Sequence, residues 1–537
     1  MKFDLLATIA LASVMGVDAA QEPFYSNPKP YSQDFTDNYN FLKYTTWMGP
    51  WSQRRGVGIN RDPPKGCKVD QVAMMHRHAE RYPASYAAKN MDKALQKFDD
   101  VKGKLKDDLE FLNYWVPFVH ADDGIIGQES MYGAYSGWLD AYHRGALYRT
   151  RYGHLWDGQS TVPMFTSGFE RVAQTARKFG QGFFGFNYTD VVALNIYPET
   201  AEQGANTLTA VCNIPNNATA CEVPTEDAKT EWPEDPPWVY PEFEQAAKRL
   251  NKANKGLNLT AEDIPQLMSI APFELNVRGS SPWVGAFTAE EWAAFEYLHS
   301  AFYYCYAGPE APSSLALGSN YLNATRVLFN QGPQDSMPMI WSFAHDTDIT
   351  PVVTLLGFAN DEKFDPTKVS YGSRWDVTDI VPEGAHLVFE RLVCEDDEDD
   401  ELASLASEYP SSFNASSVNA TYATNATYPG ASNPNKGKNE NIYVRIVLNE
   451  AVVPLPACNS GPGKSCKLSD FSEFVDGAIK DVDFVKTCNV SDSAPHTMTM
   501  FWDYNTTNSL DYNSYPIPYQ AGLLDSDGQP SDDKSDY

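Results

Sequence analysis

A chain of 537 residues can bury a large hydrophobic core and form one to three domains. Its 71 acidic residues outnumber the 41 basic ones, and a formal net charge of −30 argues against a nucleic-acid partner, because no general basic field attracts phosphate backbones. The acidity fits work at low pH, where protonated carboxylates repel each other less, and it fits simple solubility equally well.

Residues 1–19 have the composition of a secretory signal peptide. A short basic start precedes a mostly apolar run from Leu5 to Val17, and small residues follow at the expected cleavage position. No later apolar run reaches the roughly 20 residues that span a bilayer, and the polar C-terminal end has no lipid-anchor signal. We therefore expect a secreted protein without a membrane anchor, located outside the cell, in the cell wall or in the periplasmic space.

Cysteines and glycosylation sequons indicate the same compartment. The eight cysteines are an even number and suit up to four disulfides. Nine Asn-x-Ser/Thr sequons predict a glycosylated surface, and they begin at Asn187, Asn217, Asn258, Asn323, Asn414, Asn419, Asn425, Asn489 and Asn505.

The first segments of the mature chain lead to a polar loop. Residues 20–66 are rich in Pro, Gly, Tyr and Trp and predict an N-terminal arm that wraps the core. An apolar run ending at Met75 predicts a buried strand, and Arg77, His78 and Arg81 follow it directly. The planar guanidinium grips tetrahedral oxyanions, and a histidine between two such groups can attack what they hold. The loop therefore predicts a phosphate site with its own nucleophile.

Two later segments repeat this order of strand, polar turn and helix. Val162–Phe165 predicts a strand, and the helical spacing after it places Arg171 in a first turn, where free N–H groups and the positive dipole end favour an anion. Met337–Phe343 predicts another strand that runs into His345 and Asp346. An aspartate in this position is also a common helix cap, so the pair alone leaves capping and chemistry open.

Helical periodicity predicts three further regions. Residues 86–152 are mostly helical in spacing, and residues 243–259 predict an exposed helix. Thr288 and Glu291 form a capping-box pattern at the start of a third helix. The aromatic stripe of that helix, from Trp292 to Tyr303, predicts core packing.

The C-terminal third contains a long polar interruption. Residues 395–441 open with seven consecutive acids, continue with Ser, Asn and Thr, and predict a disordered, glycosylated insertion. The insertion separates Leu387–Phe389 from Tyr443–Leu448, which we interpret as an antiparallel hairpin with a long tip. Residues 511–537 predict an acidic tail.

Together these motifs resemble the signature of the histidine acid phosphatases. That signature is Arg-His-Gly-x-Arg-x-Pro, a third arginine on a helix and a distant His-Asp pair. It is matched here by Arg77-His78-Ala79-Glu80-Arg81-Tyr82-Pro83, Arg171 and His345-Asp346. The resemblance is greatest to the secreted, glycosylated acid phosphatases of yeasts and other fungi, which have phytases as relatives, and it covers most of residues 57–507.

The resemblance implies a reaction and a role for each residue. His78 would attack phosphorus and form a phosphohistidine, and Asp346 would protonate the leaving alcohol. The groups expected to bind the phosphate oxygens are Arg77, Arg81, Arg171 and His345. The implied substrates are small phosphate monoesters over a broad range that can include phytate, and neither a metal nor another cofactor is implied.

The resemblance also implies the architecture. We expect an α/β fold with a doubly wound mixed sheet as its core and a mainly α-helical second domain formed by inserted segments. The core is assigned to residues 67–85, 160–212 and 335–510, and the helical cap domain to residues 86–159 and 213–334.

Three disulfides follow from the same resemblance, and they are Cys67–Cys394, Cys212–Cys488 and Cys458–Cys466. Cys221 and Cys305 are left over, and whether they pair with each other stays open.

One residue departs from the family pattern, because Ala79 stands where the family has glycine. If that position requires a positive φ, alanine costs about 1 kcal/mol. If the glycine instead allows the backbone to approach phosphate, the added methyl group narrows the pocket.

The sequence leaves two alternative functions open. His76, His78, His345 and Asp346 could ligate the metal of a hydrolase, although three arginines around a metal cation are electrostatically unfavourable. The chain could also be a cell-wall glycoprotein whose catalysis is weakened at Ala79. A homo-oligomer is left open.

Overall fold

The computed structural model describes residues 40–185, 188–213, 221, 236–358, 364–371, 373–395 and 441–506. The predicted signal peptide and acidic tail lie outside these residues, as does nearly all of the predicted insertion. So do the sequons at Asn187, Asn217, Asn414, Asn419 and Asn425.

The strands of the described residues form one mixed sheet. They are β1 (Cys67–Arg77), β2 (Val162–Ser167), β3 (Val192–Tyr197), β4 (Met339–Ala344), β5 (His386–Cys394), β6 (Ile442–Leu448), β7 (Ala451–Val452) and β8 (Cys466–Lys467). Their order is β3-β2-β4-β1-β5-β6-β7, with β8 beside β6. The first four strands in this order are parallel, and β5 and β6 continue the sheet antiparallel. The parallel strands therefore end at one common edge.

Within the described ranges, the helices of ten or more residues cover both faces of this sheet, and many of them share one hydrophobic cluster with its strands. They are α1 (Ser85–Leu95), α2 (Gly137–Tyr152), α3 (Glu170–Phe184), α4 (Pro241–Ala253), α5 (Asp263–Arg278), α6 (Ala289–Tyr306), α7 (Ser314–Gln331), α8 (Asp346–Leu355) and α9 (Leu468–Ile479). Val72 and Met74 of β1 face the hydrophobic cluster that includes residues of α2 and α3, whereas Ala73 and Met75 face the larger cluster on the other side. Because both faces are buried, the strand is a continuous apolar run rather than an alternating one.

The predicted fold class is confirmed, and two helix predictions need correction. Within residues 86–152, the middle is not helical apart from short 3-10 turns, and Gly103, Gly127 and Gly133 have positive φ there. The helix predicted for residues 243–259 is α4, which ends at Ala253 and buries one face instead of being exposed. Periodicity in these segments overstated helix length because glycine-rich turns interrupt it.

The predicted hairpin is present. β5 and β6 pair antiparallel with Leu387 opposite Leu448 and Val393 opposite Ile442, so the segment between them leaves from the end of a strand pair. Of the four described sequons, those at Asn258, Asn489 and Asn505 are exposed and that at Asn323 is half-buried. Among the described helices, none is both long and apolar enough to cross a membrane.

Four disulfides join the cysteines. The three implied pairs, Cys67–Cys394, Cys212–Cys488 and Cys458–Cys466, are present. Cys221 and Cys305, whose pairing was open, are also joined. The bond between Cys67 and Cys394 links residues that face each other on β1 and β5, which ties the parallel half of the sheet to its antiparallel half.

Candidate active site

The motifs predicted from the sequence to form the site meet at the carboxyl edge of the parallel strands. Arg77, the last residue of β1, lies opposite Ala344, the last residue of β4, so the residues that follow both strands are neighbours. The imidazole rings of His78 and His345 are 5.6 Å apart. β2 is the other neighbour of β4, and the chain leaves it to enter α3 with Arg171 in the first turn, as predicted. This edge is where doubly wound sheets bind ligands.

His78 is held in one tautomer. Its Nδ1 lies 2.9 Å from the carbonyl oxygen of Ala79, which can only accept, so Nδ1 carries the proton and the Nε2 lone pair is left for attack. His78 is 1% exposed. Burial first, and then the charges of Arg77 and Arg171, lower the pKa of His78 well below its ordinary value. The imidazole therefore stays neutral, as a nucleophile must, in acidic solution.

Arg77 is fully buried, and not all of its N–H donors have a partner in the described part of the chain. Its Nη1 donates to the carbonyl oxygens of Trp47 at 2.5 Å and Val381 at 2.6 Å, which fixes the guanidinium plane. Its Nη2 forms an ion pair with Asp346 Oδ2 at 2.7 Å. The Nε–H group is buried without a hydrogen-bond partner in the described part of the chain. A buried cation with an unpaired donor is the arrangement expected where an anion binds.

Arg81 and Arg171 extend the cationic group. The Nε of Arg81 lies 3.5 Å from Glu383 Oε1, and its Nη1 donates to the Tyr82 carbonyl oxygen at 2.9 Å. The guanidinium of Arg171 lies 4.6 Å from the centre of the Phe169 ring. Burial and the nearby Arg81 lower the pKa of Arg171 to about 9, so this side chain remains cationic at acidic pH. All three predicted arginines lie close enough to His78 for their charges to lower its pKa.

The two aspartates at the start of α8 have different contacts, and these decide between helix capping and chemistry, which the sequence left open. Asp348 Oδ2 accepts from the backbone N–H of His345 at 2.9 Å and from the Thr209 hydroxyl at 2.7 Å, so Asp348 caps the helix. Asp346 accepts from the N–H of Thr347 through Oδ1 and faces Arg77 through Oδ2. Asp346 is therefore the carboxylate at the anion site.

Glu199 is a site residue that the sequence did not reveal. It lies two residues after β3, and its Oε1 is 2.8 Å from His345 Nε2. The contact fixes the orientation of the His345 ring. The sequence did contain a signal, because Glu199 is a polar residue just after a strand that ends at the same edge of the sheet. The strand β3 was not predicted from the sequence, so Glu199 was not predicted either.

Tyr303 is a second such residue. It belongs to the aromatic stripe of α6 that was expected to be core, and its ring is indeed buried. Its hydroxyl donates to Asp346 Oδ2 at 2.8 Å. No local sequence pattern connects α6 with a strand end about forty residues later.

Ala79 fits its position without strain. It is fully buried and is not among the described residues with positive φ, so replacing glycine by alanine carries no left-handed backbone cost. Its N–H donates to the Thr175 hydroxyl at 2.8 Å. The methyl group therefore does not disturb the backbone of the loop.

His76 lies away from this constellation. It is fully buried, its ring stacks on His386 with 5.5 Å between centroids, and its Nδ1 contacts the carbonyl oxygen of Arg77. Within the described ranges, no three His, Cys, Asp or Glu side chains are grouped to hold a metal ion. The metal-dependent alternative therefore has no support from the ligand geometry.

Two buried glutamates behind the loop are held neutral. Burial raises the pKa of Glu129 to about 8, although a hydrogen bond from Thr175 acts to lower it. Burial also raises the pKa of Glu383 to about 8, although Arg81 opposes this. Thr175 contacts the N–H of Ala79, and Glu383 accepts from the N–H of Arg81 at 2.8 Å. Ionisation of these acids therefore acts on the loop from Arg77 to Arg81.

We expect the protein to lose stability as pH rises from 6.5 to 8. In the unfolded chain a glutamate, with a pKa of about 4.3, has already lost its proton, whereas folded Glu129 and Glu383 lose theirs only near pH 8. The window starts at about 6.5 because buried histidines such as His299, whose pKa burial lowers to about 3, change stability below it. Thermal unfolding should show a midpoint about 5 °C lower at pH 8 than at pH 6.5.

The variant Glu129→Gln should reduce this difference, because glutamine does not ionise. The matched control is Glu110→Gln at an exposed position, which should leave the difference unchanged. A midpoint that rises toward pH 8 in the wild-type protein would contradict the assignment of neutral buried acids.

Comparison with known proteins agrees with this geometry. The sequence model of the histidine phosphatase superfamily (branch 2) matches residues 68–405, more than half of the chain. Phytase PHO112 of Candida albicans is 33% identical over 489 residues, which cover 90% of this chain and 93% of that protein. Acid phosphatase PHO1 of Komagataella pastoris is 32% identical over 512 residues, covering 93% and 97%.

A solved structure is also similar to this fold. The crystal structure of the phytase from D. castellii superposes with a TM-score of 0.73 at 29% sequence identity, and the match covers 91% of this chain and 96% of that chain. The matched family region contains every predicted catalytic residue, from Arg77 to Asp346. The chain belongs to the histidine phosphatase superfamily, branch 2.

Proposed function

We propose that this protein hydrolyses small phosphate monoesters in acidic surroundings through a phosphohistidine on His78. The observation that carries the proposal is a neutral, buried imidazole with its Nε2 lone pair left for attack, set among buried guanidinium groups that include the unpaired Nε–H of Arg77. Cations hold the phosphoryl oxygens and stabilise the charge that develops during transfer. The nucleophile and the anion site are thus built into one loop.

The reaction has two steps with a role for each group. Arg77, Arg81 and Arg171 bind the phosphate oxygens, and so does His345 once the phosphate displaces Glu199 from its Nε2. The Nε2 of His78 attacks phosphorus, the bond from phosphorus to the ester oxygen breaks, and Asp346 gives its proton to that oxygen. Water then attacks phosphorus, the P–N bond breaks, and the proton of the water passes to Asp346, which restores the acid.

The resting site favours an ionised Asp346. Burial alone would raise the pKa of Asp346. The charge of Arg77 and a hydrogen bond from Tyr303 lower it by more, so the pKa of Asp346 lies below its ordinary value. A bound phosphate competes for Arg77 and removes the charge that holds the carboxylate ionised. Substrate binding therefore raises the pKa of Asp346, which takes up the proton of the phosphate monoanion that predominates in acid and then acts as the acid.

The substrate range and location belong to the same proposal. Relatives named as phytases and as acid phosphatases are similarly distant from this chain, so we propose broad activity on phosphate monoesters that includes phytate. Four disulfides are typical of an oxidising compartment and support secretion after removal of residues 1–19. The exposed sequons at Asn258, Asn489 and Asn505 support a glycosylated surface. Residues 86–159 and 213–334 are proposed as the cap, because Tyr303 reaches the site from this part of the chain, with α2 as the part of it that packs on the sheet.

The test is turnover by the purified protein. We expect hydrolysis of p-nitrophenyl phosphate and phytate with a maximum below pH 7, unaffected by EDTA, and a phosphorylated protein after rapid quenching that is labile in acid, as a P–N bond is. Absence of turnover on both substrates between pH 3 and 8 would end the proposal. Loss of activity in EDTA that added metal restores would favour the metal-dependent alternative instead.

A further inference from the structure

The hydroxyl of Tyr303 reaches Asp346 from the helical part of the protein. Tyr303 lies near the end of α6 and is 5% exposed. Its hydroxyl donates to Asp346 Oδ2 at 2.8 Å, on the same oxygen that faces Arg77 Nη2 at 2.7 Å. The other carboxylate oxygen accepts from the N–H of Thr347 at 2.8 Å. Asp346 is thus held by three groups.

These three contacts differ in what they can do during the reaction. Arg77 is the cation that a bound phosphate attracts, so its hold on Asp346 weakens when substrate arrives. The N–H of Thr347 is a fixed backbone donor. The phenol of Tyr303 donates to Asp346 Oδ2 when the carboxyl is ionised, and it can still donate to a lone pair of the protonated carboxyl, so the acid proton stays free for the leaving group.

The rings around Tyr303 keep its hydroxyl in place. The aromatic ring lies 6.0 Å from that of Trp47 and 6.1 Å from that of Phe302. The Trp47 carbonyl in turn holds Arg77 at 2.5 Å. The packing of α6 and the N-terminal arm therefore sets the distance between Tyr303 and the general acid.

We propose that Tyr303 is a positioning residue that holds the Asp346 carboxyl for proton transfer to the leaving group after Arg77 has turned to the phosphate. The inference rests on the proposed phosphatase function and adds a dependence on the substrate. An alkyl phosphate expels a strongly basic alkoxide, which needs the proton of Asp346 as the P–O bond breaks. p-Nitrophenyl phosphate expels a stabilised phenolate, which needs that proton far less. Tyr303 thus extends the enzyme's range to alkyl esters.

The variant Tyr303→Phe removes the hydroxyl and keeps the ring. We expect kcat/KM for glycerol 2-phosphate to fall about 10- to 100-fold, since a misplaced acid loses orientation, and kcat/KM for p-nitrophenyl phosphate to stay within about 3-fold. Both substrates are supplied in one mixture, so the ratio of the two rates does not depend on how much of the variant is folded.

The matched control lies on the same helix. Tyr297 is also buried, and its hydroxyl donates to the Asp365 carbonyl at 2.7 Å, away from Asp346. Tyr297→Phe loses a comparable hydrogen bond and should leave the substrate ratio unchanged. In the Asp346→Asn background, Tyr303→Phe should have no further effect on the ratio, because the group that it positions is already disabled.

The outcomes separate this inference from the function on which it rests. A selective loss on glycerol 2-phosphate in Tyr303→Phe, absent in Tyr297→Phe, supports the positioning role. An equal loss on both substrates, or no loss on either, overturns it while an active wild-type enzyme leaves the phosphatase proposal standing. Absence of wild-type turnover on both substrates overturns the phosphatase proposal and this inference with it.

Discussion

Replacing His78 with alanine is expected to lower kcat for p-nitrophenyl phosphate by at least about 10⁴-fold, because the group that forms the covalent intermediate is lost. The Nε2 lone pair, which the Nδ1 contact with the Ala79 carbonyl leaves unprotonated, has no counterpart in alanine. Arg77, Arg81 and Arg171 remain, so inorganic phosphate should still raise the thermal midpoint of the variant.

The matched control is His143→Ala, at an exposed histidine of α2. It should keep wild-type turnover and still give the acid-labile phosphorylated protein, whereas His78→Ala should not. If His78→Ala retained more than about 1% of wild-type kcat, another nucleophile would have to be sought. Failure of phosphate to stabilise the variant would instead indicate that the substitution had disrupted the anion site.

Replacing Asp346 with asparagine is expected to have the second-largest effect, and its size should depend on the substrate. Hydrolysis of glycerol 2-phosphate should slow by about 10²- to 10⁴-fold, the usual contribution of a general acid. p-Nitrophenyl phosphate should lose only about 10-fold, because its leaving group departs without full protonation. Asparagine keeps the shape and the N–H contact from Thr347, so the loss reports chemistry rather than folding.

The control is Asp476→Asn, which removes a carboxylate that pairs with Arg326 on α7, outside the catalytic constellation. Its kinetics should match the wild type for both esters. An equal loss on both substrates in Asp346→Asn would contradict the role of Asp346 as proton donor. Comparison with Tyr303→Phe then shows how much of the acid's contribution depends on its position.

Two pKa shifts of opposite sign govern the pH dependence. The lowered pKa of His78 keeps the nucleophile neutral in acid, so activity extends below the pH at which an ordinary histidine is protonated. The raised pKa values of Glu129 and Glu383, both about 8, make the loop that carries His78 more stable when these acids keep their protons. Both shifts are caused first by burial, and both favour an enzyme that works in acid.

The sequence by itself determined the parts of the site that are local. Each predicted group, in the loop from Arg77 to Arg81, at Arg171 and at His345-Asp346, follows a buried strand and sits in or beside a turn into a helix. Such order is visible in the period of apolar residues and in the residue types at a turn. The resemblance to a family then supplied the roles and three of the disulfides.

Only the tertiary structure decided the contacts that depend on register and helix rotation. Glu199 meets His345, and Tyr303 meets Asp346, across chain separations that no periodic pattern encodes. The same holds for the choice between Asp346 and Asp348, since which carboxylate caps the helix depends on what lies beside each one. Ala79 was ambiguous in sequence because a residue type does not state its φ, and the folded loop shows that alanine is accommodated. Local order comes from neighbouring residues, whereas the positions of catalytic partners come from the packing of the whole chain.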